Sequence, residues 1–164
     1  MANYAPLSKR AGPRPATYKG MPHAQIGVRP DPQVNAELFR RAFSLPDVED
    51  RPSVISVPGA RALWLEESLP LARPDVIVAG REFAHIHPDG SLHTSLPPER
   101  AQEAIEAGWA EIRPIAEYIG QDGLVMLYTP ANMEELETIF QLVVDSYNYV
   151  TGRTLTRGED AGQQ

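Results

Sequence analysis

The sequence predicts an α+β fold: a single domain in which helices pack on one side of an antiparallel sheet. Short apolar runs bounded by proline and glycine alternate with longer stretches of helical periodicity. One pair of these runs, around Pro88-Asp89-Gly90, reads as a histidine-bearing β-hairpin. With 164 residues and 42% hydrophobic content, the chain can bury one core but hardly two.

The elements follow in order. Residues 1–22 are rich in proline and carry Lys9, Arg10, Arg14 and Lys19 without a single acid, the composition of a disordered basic arm. The folded body is expected over 23–152, and the polar stretch 153–164 as a disordered tail. Asp31-Pro32 is an N-cap and first-turn pair opening a helix through Val34, Leu38 and Ala42. Residues 53–57, 62–65 and 75–78 read as strands. After the hairpin, Pro97-Pro98-Glu99 starts a helix carried through Ala101, Ala104, Ile105, Gly108, Trp109 and Ile112. Residues 124–128 form an all-apolar buried strand. Asn132 and Glu135 make a capping box for a last helix, with Leu136, Ile139, Phe140, Val143, Tyr147 and Val150 on one stripe and Gly152 closing it.

Composition excludes several chemistries. There is no cysteine, so disulfides, thiolate nucleophiles and cysteine metal sites are out. Lysine occurs only at Lys9 and Lys19, which excludes a Schiff-base lysine in the body. A net charge of −7 with no clustered basic face argues against nucleic acid as a partner. No apolar run is long enough for a membrane span or a signal peptide, so a soluble cytoplasmic protein with a small-molecule substrate is expected.

The hairpin carries the chemistry. His85, His87 and His93 are three of the four histidines in the chain. Strand side chains alternate faces, so His85 and His87 point the same way. Proline and glycine favour a three-residue loop, which sets His85 opposite His93 and puts all three imidazoles on one face. A two-residue turn would pair Ile86 with His93 and separate them. Such a face can act as general base, bind a metal at His85, His87 and His93, or hydrogen-bond a polar ligand. Glu82, three residues before His85, points to the other face of a regular strand. Trp109 can stack on a flat ligand, Arg113 can hold a carboxylate or enolate, and the Tyr128 hydroxyl needs a partner.

The segments Arg81-Glu82-Phe83-Ala84-His85-Ile86-His87, Ser91-Leu92-His93, Gly108-Trp109, Leu127-Tyr128-Thr129-Pro130 and Asn132 with Glu134-Glu135 resemble, in order, the catalytic domain of the fungal luciferases and their bacterial relatives. The resemblance covers about residues 75–150. It implies a luciferase-like monooxygenase acting on an enol or phenolic small molecule of the 3-hydroxyhispidin type. Molecular oxygen is then the co-substrate and no other cofactor is expected. His85, His87 and His93 become candidate catalytic residues supplying base and oxyanion contacts. Glu82, Trp109, Arg113 and Tyr128 become candidate substrate-binding residues. The chain departs from the fungal pattern in lacking an N-terminal hydrophobic anchor, in its shorter hairpin turn, and in carrying Arg113 before Pro114 where those enzymes have histidine. The rival readings are a non-catalytic module binding a small aromatic ligand, and a metal-dependent enzyme with a three-histidine site.

Overall fold

The computed structural model describes residues 4–156. A two-stranded ribbon, β1 (Thr17–Lys19) with β2 (His23–Gln25), precedes helix α1 (Pro32–Phe43). Then come β3 (Val48–Pro52), β4 (Arg61–Leu65), β5 (Glu82–Ile86), β6 (Leu92–Ser95), α2 (Pro98–Glu106), β7 (Ala110–Ile112), α3 (Ile115–Ile119), β8 (Leu124–Leu127) and α4 (Met133–Thr151). Strands β3 to β8 form one antiparallel six-stranded sheet in the order β3-β4-β5-β6-β8-β7, with the four helices packed against it. The expected α+β class is what the chain adopts.

Alternation divides the sheet into two faces. Leu63, Leu65, Ala84, Ile86, Leu92, Val125 and Leu127 join α1, α2 and α4 in one apolar cluster, while Ala62, His85, His93 and Met126 lie outside it. Burying the stripe of α4 drives this packing, since each large aliphatic side chain removed from water contributes about 1.5–3 kcal/mol. Both long helices begin as their caps dictate. Asp31 accepts from the amides of Gln33 and Val34, and Asn132 accepts from the Glu135 amide at 2.8 Å while Glu135 accepts from Ala131 N. Gly152, at φ 82°, ends α4.

Four sequence expectations are corrected. Residues 53–57 are a loop, and the neighbouring strand is the polar β3, an edge strand that ends at Pro52. The pattern missed β3 because its pairing with β4 is reinforced by charge, through Arg61 to Asp50 at 2.7 Å and Arg51 stacked over Trp64. Residues 75–78 hold a 3₁₀ turn (Pro74–Val76) rather than a strand. The helix expected through Ile112 stops at Glu106, because Gly108 takes φ 89° and Trp109 N bonds back to Ala104 O; the chain then re-emerges as β7.

The fourth correction concerns the arm. Residues 4–22, expected to be disordered, run along the body. Trp109 Nε1 donates to Ser8 O at 2.7 Å, Arg10 N donates to Ala107 O, and Arg14 reaches Ala110 O, Ile105 O and the Tyr128 hydroxyl. The positive charges meet acids: Arg10 faces Glu135 at 3.7 Å, and Lys19 faces Glu111 at 3.5 Å. Of the tail expected over 153–164, Arg153 bonds Asp47 and Leu155 bonds Asn148; residues 157–164 lie outside the described part.

Arg100 is fully buried on α2, with Nε on Asp145 of α4 at 2.9 Å, Nη1 on Ala5 O and its guanidinium over Tyr4. Burial pushes the Asp145 carboxyl up, and the guanidinium opposes that shift. Removing one partner strands the other charge. Arg100→Ala should therefore cost about 3–5 kcal/mol in a urea melt. Trp109→Ala should also lower stability by about 3–5 kcal/mol, since it empties a core position and frees Ser8 O.

Candidate functional site

The hairpin has the three-residue loop. Gly90 takes φ 90°, Gly90 N bonds His87 O, and His87 N bonds Ser91 O, so His85 pairs directly with His93. The three imidazoles lie on the face turned away from the apolar cluster and are buried. Their ring centroids stand 4.6–5.0 Å apart with steeply crossed planes.

Glu82 joins them, contrary to the regular-strand expectation. Opposite β4, Ala84 pairs with Leu63 and Glu82 with Trp64, so Phe83 is an extra residue that bulges β5. The bulge reverses the alternation, and a residue three positions before His85 reaches its face. Glu82 Oε2 lies 2.8 Å from His85 Nδ1. Glu82 also accepts from Ser53 Oγ (2.6 Å) and Val54 N (3.0 Å), which anchors the 53–57 loop over the site. Burial works against its charge, but the bonds from His85, Ser53 and Val54 outweigh it and hold the carboxyl below its usual value.

His23 was not among the residues singled out from the sequence. It sits on β2, stacks on His93 at 5.1 Å, and its Nδ1 lies 3.1 Å from His93 Nε2. Its Nε2 is 2.7 Å from Glu111 Oε2 on β7. A continuous chain results: Glu82, His85, His93, His23, Glu111, with His85 Nε2 and His93 Nδ1 3.0 Å apart at its middle. Thr17 and Tyr128 donate to Glu111 from behind. His87 stands beside this chain, its Nδ1 2.8 Å from Ser91 Oγ, which donates to Asp89 Oδ1. Burial lowers His87 to about 4, helped by repulsion from His85. Burial, then Arg113 and the other imidazoles, push His93 far down, and burial also lowers His23. These three rings are neutral near pH 7.

A cavity of about 630 Å³ opens over His93 and His23. Its floor also holds Arg113, and its walls are largely apolar, with Met21, Ile55, Val57 and Ile115 among them and Tyr118 at the exposed rim. A smaller crevice shares His93 and Arg113 with it and reaches Glu82 and His85. Burial lowers the Arg113 pKa, with Glu82 opposing, and among the described residues its buried Nε has no hydrogen-bond partner.

Of the residues expected to bind substrate, Arg113 lines the cavity, and Glu82 lines the crevice. Trp109 and Tyr128 line neither. Trp109 is occupied with Ser8, and the Tyr128 hydroxyl with Glu111 and Arg14. The aromatic wall belongs to Tyr118, on the short helix α3 that the sequence pattern did not reveal.

Among the described residues no helix is long and apolar enough to cross a membrane. Residues 80–146 match the family described as Luciferase domain. The chain is similar to proteins named Luciferase from Armillaria gallica, Armillaria ostoyae and Armillaria mellea, each 28% identical to it over 165 aligned residues covering 88% of this chain. It spans 61% of the length of these relatives. No solved structure matches it. The match contains the hairpin, the bulge, Glu111 and Arg113, so the likeness to the luciferase domain covers the histidine-bearing part of the sheet.

Proposed function

We propose that the protein is a luciferase-like oxygenase that oxidises a flat enol or phenolic small molecule with molecular oxygen. The observation that carries this reading is the cavity floor: an unpaired Arg113 Nε beside buried neutral imidazoles, under apolar walls. The volume suits one drug-sized ligand. An acidic enol must lose its proton before it reacts with oxygen. Neutral imidazoles accept a proton, and a guanidinium held in a poorly hydrated site stabilises the resulting enolate. Apolar side chains, Ile55, Val57 and Ile115 among them, flank that charge pair. The substrate class that the family resemblance implies, a hydroxylated styryl pyrone such as 3-hydroxyhispidin, is flat and carries an acidic oxygen, which supports this reading. No organic cofactor enters the reading.

Oxygen uptake and photon emission with 3-hydroxyhispidin test it. Wild type should consume oxygen. His93→Ala, which removes the imidazole beside Arg113 on the cavity floor, should lower turnover by about 10²–10⁴-fold while ligand affinity stays within a few fold, since proton transfer matters mainly in the transition state. Arg113→Ala should instead weaken binding by about 1.5–3 kcal/mol, the contribution of a hydrogen bond to a charged group. Saturable binding with no oxygen uptake would leave a module that merely binds aromatic ligands as the better account.

A further inference from the structure

Proton placement around the imidazoles follows from the ends of their hydrogen-bond chain. Glu82 is a carboxylate already accepting from Ser53 and Val54, so it takes the Nδ1 proton of His85 and turns Nε2 toward His93. Glu111, accepting from Thr17 and Tyr128, takes the Nε2 proton of His23 and leaves a lone pair on Nδ1. His93 therefore donates to His23 from Nε2, and its own Nδ1 carries a lone pair. Ser91 gives its hydroxyl proton to Asp89, so it accepts from His87 Nδ1 and leaves a lone pair on His87 Nε2.

One ring nitrogen on each of His85, His87 and His93 is thus left without a carboxylate or hydroxyl partner. One ring nitrogen from each lies within 4.8 Å of the others, and those of His85 and His93 face each other at 3.0 Å. Lone pairs at that separation repel unless a positive charge stands between them. A proton satisfies two of the three; a metal ion satisfies all three.

We infer that His85, His87 and His93 are a facial ligand set for one divalent first-row transition-metal ion, binding through Nε2, Nε2 and Nδ1. Three imidazoles select this class over magnesium or calcium, which prefer oxygen ligands. Every ligand is backed by a carboxylate: Glu82 behind His85, Asp89 through Ser91 behind His87, and Glu111 through His23 behind His93. Such partners fix tautomer and orientation, and they strengthen imidazole as a ligand. The charges agree. Three carboxylates stand against one buried guanidinium, Arg113, with Lys19 reaching Glu111 only from solvent, so a divalent ion fits the local sum. The inference deepens the proposed function and rests on it only for the substrate. A bound ion, rather than an imidazole accepting a proton, then acidifies the enol at the same floor.

The test uses the full chain, stripped with chelator and dialysed without substrate against zinc, cobalt(II), or iron(II) under nitrogen, followed by elemental analysis. One ion per chain is expected. His87→Ala, with an unchanged circular dichroism spectrum, should lose stoichiometric binding. Ser91→Ala keeps all three ligands and removes only the acceptor for His87, so it should bind about 10–100-fold more weakly. Absence of stoichiometric binding for all three metals, or unchanged binding in both variants, overturns the site. Metal binding without oxygen uptake would instead count against the oxygenase reading and leave the site standing.

Discussion

The register between β5 and β6 decides which face of the sheet carries the three histidines, and the turn sets that register. Pro88 and Asp89 shape the loop, and Gly90 closes it at φ 90°. A Cβ at Gly90 would meet Asn35 Oδ1 at 2.7 Å and Thr129 Cγ2 at 3.2 Å, so conformation and crowding both call for glycine here. A turn one residue shorter would send His93 into the apolar cluster and Leu92 outward. Alternation alone would leave the histidine face without a carboxylate on its own strand. The Phe83 bulge adds Glu82, and through it the loop that roofs the site.

Burying so many polar groups beside a small core is tolerable because most of them have partners, Arg113 Nε being an exception. Isolated buried imidazoles and carboxylates would cost several kcal/mol each. Here they are linked end to end, and the chain terminates at both ends in carboxylates whose oxygens are further hydrogen-bonded. The opposite face carries the conventional core, with α4 packed across the centre of the sheet, where Thr94 and Ser146 make a polar contact at 2.6 Å. Rigidity from one face thus supports precise placement on the other.

The N-terminal segment completes the site from outside the sheet. Ribbon β1–β2 contributes His23 to the imidazole chain, Thr17 to Glu111, and Gln25 to Asp89 and Thr129. Its loop supplies Met21 and Pro22 to the cavity. Two aromatic residues that looked available for ligand are spent holding this arrangement together: Trp109 against Ser8, Tyr128 against Glu111.

The shared face of His85, His87 and His93, the capped helices α1 and α4, and the α+β class were legible in the sequence. Each follows from a local rule: alternation on a strand, a turn type set by proline and glycine, a cap three residues before a stripe. Residues linked by long-range contact were not legible. His23 lies 70 positions from its stacking partner, and no period in the chain connects them. Polar β3 and three-residue β7 exist because β4 and β8 offer them edges, not because their own composition asks for strand. The basic arm reads as disordered because its docking surface, the acids and carbonyls of α2 and β7, is assembled only on folding. Local sequence determined the orientation of the histidine face; the tertiary structure decided what surrounds it, because burial and charge pairing depend on neighbours that sequence distance does not encode.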